Sequence, residues 1–267
     1  WSDISNPASV TTVGGTLLAK GGRKGGDGGE IETSGFELHL EDGLEVQAGS
    51  LTGEAGLWLQ DPYDYTIGDS AAAQISLTLN SGTNVTVTTT ANNSSQGATG
   101  EGSGDITVSS TITKSDGTTA ILSLEAENDI LINQAITSTG DNALGLTAKA
   151  AGKILLNDDV QISTKGGDIV LWSNAKNVES GSGKHFIRLN KGVNLTSGGG
   201  KIILAGGSDS NSDGYPDGYA YIGDTVIPPG TAYSGAAPFQ PGLSLGSVRD
   251  QTGGRINIQS NGGDITM

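Results

Sequence analysis

The sequence predicts an all-β chain: a right-handed parallel β-helix, a three-sided solenoid of about 24 residues per coil, with an extrahelical loop insertion. Three observations predict it. A pentad recurs as Gly104–Val108 (GDITV), Asn128–Ile132 (NDILI) and Gly152–Leu156 (GKILL), with Ile106, Ile130 and Ile154 spaced by 24 residues each time. Two other strand-like runs follow each pentad in a fixed order. Glycine supplies 44 of 267 residues, yet Ile, Leu and Val fall in short alternating runs that a disordered chain lacks.

The second run is Ser110–Thr113, then Gln134–Thr137, then Val160–Ser163; the third is Ala120–Leu124, then Ala143–Thr147, then Asp168–Leu171. A further turn follows as Phe186–Leu189, Val193–Thr196 and Lys201–Leu204, and related pentads begin at Gly167, Gly200, Gly254 and Gly263. Each run alternates aliphatic with polar residues, the period-2 mark of a strand with one buried face. One coil cannot bury that face alone, whereas coils stacked at about 4.8 Å give every strand a partner above and below. Corners carry Gly and Asn because tight turns need positive φ. An antiparallel sandwich does not predict a constant 24-residue pentad, and the nonapeptide repeat of a calcium β-roll is absent. The right hand follows from the preference of parallel crossovers.

The amino-terminal third is less regular, with strands expected around Thr16–Ala19, Gly29–Thr33, Glu37–Leu40 and Leu44–Val46 and a glycine-rich connector at Gly21–Gly29. Residues 91–104 read as an extended surface loop. The expected division is residues 1–204 as coils (less regular before about 75), 205–252 as the insertion and 253–267 as a resuming coil. Nine or ten coils and a rod of roughly 45 Å are expected from the strand spacing. No capping helix is expected, and both ends read as cuts through a longer chain.

Composition narrows the function. A formal charge of −15 opposes nucleic acid as a partner. With no cysteine, disulfides, thiolate metal sites and cysteine nucleophiles are excluded. No apolar run reaches the ~20 residues of a membrane-spanning helix.

No catalytic residue is expected. Asp105 and Asp129 fall at equivalent places in adjacent coils, as a glycosidase pair would require, but Lys153 takes the next place. A mixed-sign column reads as solubility and register control. His39 and His185 read as outward strand residues. No G-x-S-x-G elbow is present, Gly21–Gly26 lacks P-loop spacing, and sequons at Asn84, Asn93 and Asn194 are weak signals.

The insertion holds five of the seven prolines and four of the six tyrosines. It opens with Asp209–Asp217 in the calcium-loop spacing D-x-N-x-D-G-x-x-D. Asp209, Asn211, Asp213 and Asp217 side chains and the Tyr215 carbonyl are the candidate calcium ligands; Ala220 replaces the bidentate Glu, which excludes a full EF-hand. The alternative is a solvated Asp/Asn/Gly turn without an ion. Tyr215, Tyr219, Tyr221, Tyr233 and Phe239 read as loop-packing residues ahead of an aromatic contact patch.

Gly25–Gly35 (GGDGGEIETSG), Gly56–Ile67 (GLWLQDPYDYTI), Asn80–Thr88 (NSGTNVTVT) and Gly206–Ala220 with its DGYPDGYA end occur in an order that resembles the filamentous-haemagglutinin-like exoproteins of two-partner secretion. The resemblance covers most of residues 20–220. It implies a right-handed β-helix exported through an outer-membrane partner to the cell surface, with adhesive, filamentous or toxin-delivery roles, and it carries over no catalytic residue. Two function classes follow. One is a structural or adhesive shaft that continues into further coils of a long chain or stacked copies, with surface loops contacting a host glycan or protein. The other is a carbohydrate-binding or polysaccharide-degrading module.

Overall fold

A computed structural model of the chain describes residues 3, 6–89, 104–176, 185–219 and 256–267. The chain visits three parallel sheets in turn, then returns to the first. We call one such passage a circuit. The first sheet runs Tyr65–Ile67, Ile106–Val108, Ile130–Ile132, Ile154–Leu156 and Ile187–Leu189 in sequence order. The second runs Ile112–Lys114, Ile136–Ser138, Gln161–Ser163, Asn194–Thr196 and Asn257–Gln259. The third holds Glu30–Gly35, Leu57–Pro62, Asn84–Thr88, Ala120–Ala126, Leu144–Ala150, Ile169–Ser173, Ile202–Gly206 and Ile265–Thr266, all parallel, and Gly218–Tyr219 pairs antiparallel with Ala205–Gly206. The arrangement is all-β and β-helix-like, and among the described residues no helix is long and apolar enough to cross a membrane.

Register explains why such short strands hold. Ile106, Ile130, Ile154 and Ile187 lie in one column, and Ile112, Ile136, Ile162 and Leu195 in another. All are essentially inaccessible. Each such burial is worth about 1.5–3 kcal/mol, so stacked like residues replace the long strands of an ordinary sheet. Trp58 lies in the same core, its indole N–H donating to Thr33 Oγ1 at 3.0 Å.

Several expectations are corrected. The 24-residue step holds for Ile106, Ile130 and Ile154, while Ile154 to Ile187 takes 33 residues and Ile202 to Ile265, across the expected insertion, takes 63; the coil count is what changes. Long steps consume chain, so the described residues supply eight parallel third-sheet strands rather than nine or ten coils. The pentads at Gly167, Gly200 and Gly263 open third-sheet strands, in line with the placing of Asp168–Leu171 and Lys201–Leu204 as third runs. At Gly167, Gly200 and Gly263 a Cβ would meet the backbone of the preceding circuit. Strands at Val10–Val13, Leu57–Pro62 and Tyr65–Ile67 were not expected. The expected loop at 91–104 lies, except for Gly104, outside the described residues.

The largest correction is a helix, Asp69–Asn80, where the second sheet would otherwise gain a strand. Ala71, Ala72, Ile75 and Leu79 fall on one face and are buried, Asp69 sits in the positive first turn, and Gly82 at φ +75 ends the helix. The helix packs between Glu45–Gln47 and Ile112–Lys114.

The glycine column gives a test. A Cβ on Gly200 would lie 2.2 Å from the Gly167 carbonyl oxygen, and one on Gly263 would lie 2.0 Å from that of Gly200. Gly200→Ala should therefore lower stability by about 1–3 kcal/mol in urea unfolding. Gly68→Ser should be neutral or raise it by a few tenths of a kcal/mol, because Gly68 is an extended N-cap with open space and no side-chain bond. Equal effects from the two changes would contradict the close approach.

Candidate functional site

The Asp209–Asp217 segment folds back onto itself. Asp209 accepts the Asp213 N–H at 3.1 Å and the Gly214 N–H at 2.9 Å, and Asn211 Oδ1 also accepts from Asp213 N–H, at 2.9 Å. Asp213 Oδ1 accepts the Tyr215 N–H at 2.9 Å. Asp217 Oδ2 accepts the Ser210 hydroxyl and amide, and these bonds, the hydroxyl first, hold its carboxyl below the usual range. The Asn211 amide nitrogen lies 3.2 Å from both Asp213 Oδ2 and Asp217 Oδ1.

The structure thus brings Asn211, Asp213 and Asp217 together and turns Asp209 toward the loop's own backbone. The donor set is all oxygen, as calcium prefers, but a hard ion takes six to eight such ligands. Among the described residues no group of three or more His, Cys, Asp or Glu side chains is arranged to hold a metal.

Tyr215 packs against Val170, Trp172, Ile203 and Ala205 on the outer surface of the third sheet. Its hydroxyl donates to Asp168 Oδ2 at 3.2 Å, and Lys201 Nζ lies 5.0 Å from its ring centroid. Burial first, and then the Asp168 charge, raise its pKa. Trp172 donates to the Gly207 carbonyl at 2.6 Å, and Lys149 Nζ sits 4.4 Å over its ring. Tyr215 is therefore a packing residue. Tyr219 contributes backbone pairing, and Tyr221, Tyr233 and Phe239 lie outside the described residues.

The acidic column is committed to the backbone. Asp64 Oδ1 accepts the Gly104 and Asp105 N–H groups at 2.6 and 3.0 Å. Asp105 Oδ1 accepts the Asp129 N–H at 3.0 Å, and Asp129 Oδ1 accepts the Lys153 N–H at 2.8 Å. Lys153 Nζ closes the column 2.8 Å from Asp129 Oδ2. Each carboxylate thus caps the next circuit, which fixes register. The two histidines sit on different circuits: His39 Nε2 meets Glu37 Oε1 at 3.0 Å, and His185 Nδ1 lies 2.9 Å from the Ala151 carbonyl.

Sequence reasoning missed one concavity, a slot of about 300 Å³ between Phe36–His39 and Tyr63–Thr66. Its walls come from successive circuits at the irregular end of the chain, so no motif announces it. The Gly56–Ile67 segment was noticed only for its resemblance.

Desolvation is the leading influence on Asp105 and raises its pKa, ahead of the lowering bonds from Asp129 and Asn128. The folded state therefore holds this proton to higher pH than the unfolded chain. Stability falls as pH rises from the ordinary carboxylate value through the raised one. Asp105→Asn keeps an acceptor for the Asp129 N–H and removes the half-buried charge. The variant should gain stability relative to the parent as pH rises across that window. Urea unfolding of both proteins between pH 3 and 7 checks this, and a constant difference would contradict it.

No protein-family model matches the chain, and no curated protein matches it.

Proposed function

We propose that the chain is a length of right-handed, three-sided parallel β-helix, serving as a structural and adhesive shaft of a secreted bacterial surface exoprotein or extracellular filament, without catalysis. One observation carries the reading: the three sheets keep the same strand order across circuit after circuit, and the polar side chains at the corners are tied into that ladder. Right-handed crossovers are the rule for parallel connections. Eight third-sheet strands at about 4.8 Å spacing make a rod of roughly 34 Å.

On this reading the chain leaves the coils after Gly206 and rejoins them at Asn257–Gln259; of the expected insertion at 205–252, residues 220–252 lie outside the described residues. The filamentous-haemagglutinin likeness adds an outer-membrane partner during export. Further coils of the same long chain, or stacked copies, extend the shaft, and its loops meet a surface glycan or protein. Negative-stain imaging of the native protein from its source should show thin fibres of uniform width. Short isolated particles would count against a shaft.

The Asp209–Asp217 loop is proposed to take calcium. The Asp213 and Asp217 carboxylates both reach the Asn211 amide nitrogen at 3.2 Å, so two carboxylate oxygens already face one point. With the bidentate Glu missing, affinity belongs to the weak extracellular class, Kd about 10⁻⁴–10⁻³ M. Calorimetric titration should show one such site, lost in Asp217→Asn. An absence of calcium heat, or heat unchanged in that variant, would leave an ion-free turn.

A further inference from the structure

We propose that the slot between Phe36–His39 and Tyr63–Thr66 binds one uncharged sugar residue of a glycan.

The slot exists because the first-sheet ladder fails between two successive circuits. Glu37–Leu40 pairs on one side with Val10–Val13, flanked by the Glu37 N–H to the Ser9 carbonyl at 3.0 Å and the Glu41 N–H to that of Val13 at 2.8 Å. Alternate peptide groups of a parallel strand face opposite neighbours, so the Leu38 peptide faces away from that pairing. Tyr65–Ile67 likewise pairs with Ile106–Val108, with the Tyr65 N–H on the Asp105 carbonyl at 2.9 Å and the Ile67 carbonyl accepting from Ser109 at 3.0 Å. The Thr66 N–H is thereby turned toward the slot, while the Thr66 carbonyl accepts from Gly68 at 3.0 Å. Glu37–Leu40 and Tyr65–Ile67 do not pair with each other.

Two bonds close the slot. At one end the Tyr63 N–H donates to the Phe36 carbonyl at 3.2 Å; at the other the Ser70 hydroxyl donates to the Leu40 carbonyl at 3.2 Å. An inserted β-strand has no way through, so a compact ligand fits and an extended peptide does not. A volume near 300 Å³ stands at the small end of ligand sites, the scale of one ring.

The lining chemistry narrows the class. Leu38 N–H, Thr66 N–H and the Thr66 hydroxyl are donors. The Leu38 carbonyl, Glu37 Oε2 and Asp64 Oδ2 are acceptors, since the other carboxylate oxygens are taken by His39 and by the Gly104 and Asp105 amides. Donors and acceptors thus occur together, and a sugar hydroxyl does both. Phe36 and Tyr63, stacked at 4.6 Å, supply an apolar wall. No lysine or arginine lines the slot, and two carboxylates oppose anionic sugars. Tyr65 also lines it, and its buried hydroxyl has no hydrogen-bond partner, an unmet group of the kind that marks a missing polar neighbour.

The test is NMR titration of the ¹⁵N-labelled 267-residue chain with glucose, galactose, mannose and N-acetylglucosamine in turn. The expected result is saturable movement of the Leu38 and Thr66 amides with at least one sugar. Glu37→Ala should weaken that binding about tenfold, and Thr66→Trp should abolish it by filling the slot, both with an unchanged melting curve. Silence of both amides toward all four sugars overturns the proposal, as does movement that survives Thr66→Trp. Movement caused by the peptide Lys-Ala-Lys-Ala but by no sugar also overturns it and assigns the slot to a basic peptide.

Discussion

Everything in this fold depends on the parallel hydrogen-bond ladder between circuits. Many first- and second-sheet strands are only three residues long, too short to hold position alone. Every buried peptide group still needs a partner, so the corners must be satisfied as well as the strands. Polar side chains do this in columns. Asp64, Asp105 and Asp129 cap amides of the next circuit. Asn190 donates to Asn157, and Asn257 to Asn194, at 3.2 and 2.8 Å. Ser138, Thr164 and Ser260 each tie off the carbonyl three or four residues ahead, at 2.6–2.9 Å. Lys114, in register with Ser138, sets its ammonium on the carbonyls two and three residues ahead, Asp116 at 2.5 Å and Gly117 at 3.4 Å, and burial lowers its pKa.

The helix at Asp69–Asn80 obeys the same constraint by other means. Ile112–Lys114 is the last strand of the second sheet on that side, and an open edge invites pairing with another chain. The helix covers it with side chains. Ser76 Oγ accepts the Thr113 N–H at 3.0 Å, and Asn80 Oδ1 accepts those of Ser115 and Asp116 at 2.8 and 3.1 Å. Asp69 accepts the Ser110 hydroxyl nearby. The edge is therefore closed although the ladder is interrupted.

Legibility followed the repeat. Between Gly104 and Leu204 strand order and most inward residues could be read, because similar pentads with isoleucine at 24-residue spacing leave few registers open. The helix could not be read, because a run such as Ala-Ala-Ala-Gln-Ile-Ser-Leu-Thr-Leu alternates polar and apolar at its end and mimics a strand. Only burial between two sheet edges selects the 3.6-residue period. Within the calcium-loop spacing Asp213 and Asp217 both reach the Asn211 amide, but spacing says nothing about where Asp209 points. The slot left no sequence mark, since it arises from a pairing that does not form.

Two features outside the ladder share a physical origin. Where the chain leaves a regular circuit, it must cover or complete what the missing strand exposes. Near Gly206 it does so with apolar surface: Ile169–Ser173 and Ile202–Gly206 are buried on both faces, because Tyr215 and its neighbours close over Val170, Trp172, Ile203 and Ala205. The continuous apolar runs IVLW and IILA are the trace of that cover. Between Glu37–Leu40 and Tyr65–Ile67 the chain supplies no cover, only a bond at each end and polar groups between. Among the described residues the ladder and its caps satisfy the backbone of the regular circuits, whereas the Leu38 peptide and the Thr66 N–H face a cavity, and it is there that an outside partner has unmatched chemistry to meet.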